Sequence, residues 1–288
     1  MLSKIDWYEN KKDFEKEDKI LLFQNLYKNY NNGTVIIDKK LNSGTLGLVY
    51  SAYINNKKYI IKTHQNGFKY KKRIEKEFII LKNLYNKYLD CNLYGNDFFG
   101  KFLIIEFLYK VNEEITFEKI VNSYNKLNLL KFNKQKIISE WSFYDIQKKF
   151  FLALKILHDN YFIDDKQYNN ILKRQNIVNK LSDEERFLCH GDLSNKNIFC
   201  KNNEVIFLDW EDAFYGVREY DLCYWFTFFE NRKILFKFRE IYSGAEFERS
   251  LTICLIVIVL KSYLSILNGS YKNNSLSIKD RVQEYLEL

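Results

Sequence analysis

At 288 residues the chain is long enough for one large domain or two lobes, and a fold of this size removes about 75% of the unfolded surface from water. Hydrophobic residues at 47%, aromatic residues at 17% and charged residues at 28% exclude a disordered chain and make a disulfide or metal staple unnecessary. The 45 basic and 37 acidic side chains leave a formal charge of +8, which favours anionic ligands such as phosphates and falls short of a nucleic-acid-binding arm.

Residues 13–30 carry Phe14, Ile20, Leu21, Leu22, Leu26 and Tyr27 among charges, the pattern of an amphipathic helix. From Thr34 to His64 the character changes to three strands: TVIIDKKLN, LVYSAYI after the turn SGTLG, and KYIIKTH after the polar turn NNKK. Helical spacing returns over Arg73–Tyr88, followed by a short buried strand at Lys101–Leu108. Beyond Tyr109 the pattern is mainly helical, with a long amphipathic stretch over 134–160. It is interrupted by a hairpin formed from NIFC and VIFLDW about the turn KNNE. These readings predict an N-terminal lobe over 1–108, including a helical extension over 1–33, and a helical C-terminal lobe over 109–288.

The most apolar run, Leu251–Leu260, is closed by Lys261 and is about half the ~20 residues that a membrane span needs. It reads as a buried helix, so no membrane span is expected. Charges stand where the apolar stretch of a signal peptide would lie. The five cysteines include no C-x-x-C pair and no metal-like spacing to the three histidines, so reduced thiols in a cytosolic protein are expected. There is no proline, which removes one marker of element boundaries.

The strongest chemical signal is His190–Asn197, HGDLSNKN, followed after the hairpin by Asp209 in VIFLDWED. A carboxylate and a carboxamide in one loop, with a second carboxylate at the end of the next hairpin, can converge on a divalent metal and an attacking hydroxyl. Phosphoryl transfer needs such a set: one aspartate to position the nucleophile and oxygen ligands to hold Mg²⁺ against the phosphates. In the N-terminal half, Ser43, Gly44, Thr45 and Gly47 form a turn between two strands, where glycine lets backbone approach a phosphate. Lys62 lies in the apolar strand YIIKTH, and Glu77, with Glu75 as the alternative, lies on the following helix.

These motifs resemble the aminoglycoside phosphotransferase and choline kinase superfamily, whose members carry H-G-D-x-x-x-x-N and then an Asp ending a hairpin. The resemblance covers about Thr34–Phe229. It implies an α+β, two-lobed protein-kinase-like fold with a small antiparallel-sheet N-lobe and a mainly helical C-lobe. It implies Asp192 as the catalytic aspartate, Asn197 and Asp209 as ligands of two Mg²⁺ ions, and His190 and Asp221 as braces of the catalytic loop. Lys62 would contact the phosphates of ATP or GTP and pair with Glu77, and the backbone around Glu106 to Leu108 would meet the adenine edge. The spacing of Gly44 and Gly47 departs from the G-x-G-x-x-G of protein kinases.

The expected function is Mg²⁺-dependent O-phosphotransfer to a small hydroxylated molecule, most simply a sugar or amino sugar. Glu211, Asp212 and Glu230, with Tyr220, Tyr224 and Trp225, are candidate acceptor contacts. A choline or ethanolamine kinase is a second reading, suggested by the D-W-E form of the metal motif. A noncatalytic binding or coat protein that kept the fold is a third. The basic run Lys69, Lys71, Lys72, Arg73 and Lys76 reads as the solvated start of a helix, and no nucleic-acid partner is expected. Acceptor identity, nucleotide preference and oligomeric state are not encoded in these motifs.

Overall fold

The structure, a computed structural model, describes residues 23–24, 27–28, 33–41, 47–64, 67–96, 100–108, 116–128, 143–181, 187–227, 237–267, 269, 271 and 277–288. Ser43, Gly44, Thr45, Glu230, the side chains of Lys69 and Lys71, and most of the N-terminal helical stretch lie outside the described residues. The chain divides into two compact units. The first groups Tyr8–Ile138 with Asn197–Asp212, and the second groups Met1–Trp7 with Ser139–Lys196 and Ala213–Leu288. The hairpin that carries Asp209 therefore groups with the sheet, although it follows the long helical stretch in sequence.

In the first unit five antiparallel strands form a sheet in the order β1-β2-β3-β5-β4: β1 Val35–Leu41, β2 Gly47–Ile54, β3 Lys57–His64, β4 Cys91–Asn96 and β5 Gly100–Glu106. Strand β4 has no counterpart in the sequence reading, because CNLYGN offers little apolar alternation. Side chains alternate across the sheet. Ile61, Phe102 and Ile104 pack in one cluster with Phe23 and Tyr27 from the helical residues near the N-terminus. Lys62, one position from Ile61, consequently points to the opposite face, towards helix α1 (Gly67–Tyr85), which packs against β3 and β5. Within α1, Ile74, Glu77 and Leu81 recur at three- and four-residue intervals and all are buried, so the inward stripe of the helix carries a carboxylate among its apolar residues.

Helix α2 (Phe117–Asn128) follows the sheet. The hairpin β7 (Ile198–Lys201) and β8 (Glu204–Phe207) pairs Ile198 with Phe207. Tyr124 of α2 packs edge-on against Phe207, and the Tyr85 hydroxyl of α1 accepts the Phe207 N–H at 3.0 Å. Both this hairpin and β2–β3 turn on Asn-Asn pairs with positive φ, 48° and 66° at Asn55 and Asn56 and 51° and 66° at Asn202 and Asn203. That geometry matches the strand twist, and asparagine tolerates it better than other side chains.

The second unit contains helices α3 (Phe143–Asp159), α4 (Asp165–Leu172) and α5 (Gln175–Leu181). After the short pair β6 (Phe187–Cys189) and β9 (Phe214–Gly216) come α6 (Tyr220–Phe226), α7 (Phe238–Ile241), α8 (Gly244–Leu267) and α9 (Ile278–Leu286). The three-residue strands β6 and β9 are too short to leave a periodic signal in sequence. Helix α8 is long and apolar enough to cross a membrane, and every residue of Leu251–Leu260 is buried within the unit, packed against α3, α6 and α9. All five cysteines are free and buried. The α+β organisation expected from sequence, an antiparallel sheet followed by a helical region, is observed.

Asn56 is exposed at φ 66°, where a β-branched side chain costs about 1–2 kcal/mol. Asn56→Val is expected to destabilise the protein by that amount and Asn56→Gly by none, measured as urea unfolding midpoints.

Candidate functional site

In the sheet unit the buried Lys62 ammonium donates to Glu77 Oε2 at 2.7 Å, donates to Asp209 Oδ1 and lies 3.5 Å from Glu211 Oε2. Burial works to lower the Lys62 pKa, and the carboxylates of Asp209, Glu211 and Glu77 outweigh it, raising the group well above an ordinary lysine. For Glu77 burial prevails and raises its pKa. The second oxygen of Glu77 accepts the Asp209 N–H at 3.0 Å. Asp209 needs that support, because its φ of 72° places a non-glycine residue in the left-handed region. The turn is further closed by the Trp210 indole N–H donating to Phe207 O at 2.6 Å.

Glu211 lies 3.1 Å from His64 Nε2. Burial would raise its pKa, but Lys62, His64 and Arg73 hold it far below the usual carboxylate range. Asp212 accepts from Arg73 at 3.1 Å. Of the three acidic residues named as acceptor contacts, Glu211 and Asp212 are thus engaged by basic side chains of the sheet unit, and Glu230 lies outside the described residues. Glu75 pairs with Lys101 at 3.3 Å, so of the two glutamates on α1 it is Glu77 that meets Lys62. Of the basic run, Lys72 is exposed, whereas Arg73 and Lys76 are buried, which departs from the expected solvated helix start.

Asn197 is buried immediately before β7, and its carbonyl accepts the Leu208 N–H at 2.9 Å. Hairpin register therefore sets Asn197 beside the residue preceding Asp209. Glu77, Asp209 and Glu211 also offer oxygens that lie within 4.8 Å of one another. Those oxygens surround the Lys62 ammonium, whereas the Asn197 carboxamide and the Asp209 carboxylate offer oxygen donors of the kind that Mg²⁺ takes. Gly47 opens β2 opposite His64, and a Cβ there would meet only Thr63 O at 4.0 Å, so folding itself does not require glycine at this position. At the end of β5, the Glu106 N–H donates to Asp90 O and the Phe107 N–H to Lys58 O. The Leu108 N–H makes no hydrogen bond among the described residues. The Glu106 side chain pairs with Lys201 at 2.6 Å.

In the helical unit a single face of α6 organises the loop after β6. Asp221, Tyr224 and Trp225 are spaced i, i+3, i+4 and share that face. The fully buried Asp221 accepts the N–H groups of His190 at 2.5 Å and Gly191 at 3.0 Å. The Tyr224 hydroxyl donates to Asp192 Oδ1, and the Trp225 indole N–H donates to Asn195 at 2.7 Å. His190 is buried and its Nδ1 accepts the Asp192 N–H at 3.3 Å. Gly191, at φ 85°, makes the bend that side chains resist. Tyr220 and Trp225 are buried. Tyr220 packs edge-on against Phe214, so these two aromatics brace the core and the loop.

Lys261, which the sequence reading treated only as the end of an apolar run, reaches this loop from α8. Its Nζ lies 3.8 Å from Asp192 Oδ1 and 3.9 Å from the Tyr224 ring centroid, while Lys196 Nζ lies 3.3 Å from Asp192 Oδ2. Burial acts to raise the Asp192 pKa, but Lys261, Lys196 and the Tyr224 hydroxyl outweigh it and keep the carboxyl below its ordinary value. The available signal in sequence was a lysine directly following ten core residues of one helix.

Residues 161–243 match the profile of the Phosphotransferase enzyme family. Among curated proteins none matches the sequence. Solved structures match across nearly the whole chain. Aminoglycoside phosphotransferase APH(4)-Ia is 12% identical with a TM-score of 0.63, over 94% of this chain and 99% of that one. Choline kinase LicA from Streptococcus pneumoniae is 16% identical with a TM-score of 0.60, over 94% and 98%. Macrolide 2'-phosphotransferase type I is 11% identical with a TM-score of 0.58, over 96% and 97%. The chain has the kinase-like fold of these proteins, and together with the family match over 161–243 this bears out the resemblance to the aminoglycoside phosphotransferase and choline kinase superfamily.

Burial pushes the Lys261 ammonium from an ordinary 10.5 down to about 7, against the attraction of Asp192. Across that interval the unfolded chain binds a proton that the folded chain releases, so Lys261 makes stability rise as pH increases from about 7 to 10.5. Lys261→Met is expected to flatten this part of the stability curve, read from urea midpoints of both proteins across the interval.

Proposed function

We propose that the protein is a small-molecule kinase that transfers the γ-phosphoryl group of ATP or GTP to a hydroxyl of a sugar-like acceptor in the cytosol. The observation that carries this reading is the Lys62–Glu77 ion pair, made on the same cluster that fixes Asp209. The family matched over 161–243 is one of phosphotransferase enzymes. Solved relatives of the same fold include an aminoglycoside phosphotransferase in a ternary complex with AMP-PNP and hygromycin B and a spectinomycin phosphotransferase with ADP and spectinomycin.

In this reading Lys62 binds the donor phosphates, Gly47 lets backbone approach them, and the Leu108 N–H serves the nucleobase edge with the Glu106 carbonyl. Asn197 and Asp209 would hold Mg²⁺, which supplies positive charge to offset the phosphates. Asp192 accepts a hydrogen bond from the acceptor hydroxyl and orients it. Its proton passes to the Asp192 carboxylate as the new O–P bond forms and the β,γ-bridging P–O bond breaks, releasing the nucleoside diphosphate. Because the Asp192 pKa is held low, positioning outweighs basicity in its contribution. Asp221 keeps the loop in register by accepting two of its backbone N–H groups.

Calorimetry is expected to show binding of Mg²⁺-ATP or Mg²⁺-GTP that EDTA weakens; equal affinity with and without EDTA rejects the metal roles of Asn197 and Asp209. Asp192→Ala is expected to keep nucleotide affinity and lower turnover by roughly 10²-fold or more, and Lys62→Ala to lose nucleotide affinity. Wild-type turnover in Asp192→Ala rejects the kinase assignment. Gly47→Ala is expected to weaken nucleotide binding in the same titration without lowering the urea midpoint, since alanine suits a strand better than glycine by about 0.5–1 kcal/mol.

A further inference from the structure

We propose that the acceptor is anionic: a hydroxylated molecule carrying a carboxylate or phosphate group, which Lys261 and Lys196 engage beside Asp192. The inference rests on the kinase reading above and names the substrate class of that site.

Three observations within the helical unit carry it. First, two ammonium groups converge on one carboxylate, Lys196 at 3.3 Å and Lys261 at 3.8 Å from the oxygens of Asp192. Arg281 on α9 adds a third positive charge that repels Lys261. A cationic acceptor brought to Asp192 would therefore meet charge of its own sign from Lys196 and Lys261.

Second, Lys261 is delivered by rigid structure. It follows ten buried residues of α8, a helix held by α3, α6 and α9, so its backbone is fixed beside the loop, and its half-buried side chain rests on the Tyr224 ring with the ammonium towards Asp192. A lysine held this way carries a desolvation penalty that a bound anion relieves.

Third, the features that would select a cation are already occupied. The face of Tyr224, the ring that could cover a quaternary ammonium, is capped by Lys261 at 3.9 Å. Trp225 and Tyr220 are buried. Glu211 and Asp212, the carboxylates that would bind amino groups, are engaged by Lys62, His64 and Arg73 in the sheet unit. The reaction is otherwise unchanged: the acceptor hydroxyl loses its proton to Asp192 and gains the phosphoryl group, and the anionic group stays intact in the product ester.

The test uses acceptors matched in shape and differing in charge: glycerol, glycerate and glycerol phosphate, then glucose, gluconate and glucosamine, with choline as a further cation. Binding to the AMP-PNP-loaded protein is measured by saturation-transfer NMR, and turnover with ATP by ADP release. The anionic member of each set is expected to bind at least about tenfold more tightly than its neutral or cationic counterpart, the equivalent of about 1.4 kcal/mol. Lys261→Met is expected to erase the advantage through KM, and Lys261→Arg to retain it. Glycerate against glycerol phosphate shows which anion is preferred.

Tighter binding of glucosamine or choline overturns the inference, as does failure of every anionic member to bind at about 10 mM, well above ordinary KM values. Equal loss of turnover for all acceptors in Lys261→Met, with KM unchanged, also overturns it by assigning the ammonium to the transferred phosphoryl group. Absence of nucleotide binding in the wild-type protein is a separate result that rejects the kinase reading itself.

Discussion

The carboxylate of Glu77 holds together the charged centre of the sheet unit. One oxygen binds the Lys62 ammonium and the other the Asp209 backbone N–H, so a single group on α1 fixes a strand residue and a turn residue at once. Its burial is costly for a charge, and the cost is offset only because the lysine and the amide are both present. Removing one partner from such a buried pair typically costs about 3–5 kcal/mol, whereas the same pair contributes little net stability over apolar packing. The arrangement specifies geometry more than it stabilises the fold. The left-handed conformation of Asp209 belongs to the same economy: it is unfavourable in isolation and persists because the amide it presents has a buried acceptor.

The helical unit solves a parallel problem differently. There the backbone of His190 and Gly191 is held by Asp221, and the side chains of Asp192 and Asn195 by Tyr224 and Trp225, all from one helix of seven residues. The i, i+3, i+4 spacing makes this possible within two turns. The loop is thereby specified by α6 rather than by its own sequence, which is why HGDLSN can be short and polar and still hold one shape. The proposed acceptor recognition adds a longer-range element, since Lys261 arrives from α8 at a position dictated by how the core helix packs.

Much of this was legible in the sequence where periodicity or motif order carried it. The alternation in YIIKTH set Lys62 opposite Ile61, the stripe Ile74, Glu77 and Leu81 turned a glutamate inward, and KNNE marked the hairpin turn. Other features left no local trace. CNLYGN forms β4 because β5 offers it an edge, and the three-residue strands β6 and β9 exist only as a pair. The engagement of Glu211 and Asp212 by Lys62, His64 and Arg73 depends on contacts between residues far apart in the chain, so proximity in sequence to Asp209 was a poor guide to what they face. Lys261 was misread for the same reason: its meaning lies in where α8 ends, which the apolar run alone does not reveal.

The segment Asn197–Asp212 belongs to the sheet unit, while the residues on either side of it belong to the helical unit. Lys62 and Asp209 are separated by 147 residues. At a synthesis rate of about 5–20 residues per second, the turn that completes the Lys62 cluster follows the lysine by roughly 7–30 s. The charge balance of Lys62 and Glu77 cannot be complete before then, and long-range closure of this kind slows folding. The helical unit is in the reverse position, since its chain must leave and return before α6 can engage the loop. Neither unit can finish as an independent early domain, and both reach their native arrangement only after the ribosome has passed the middle of the message.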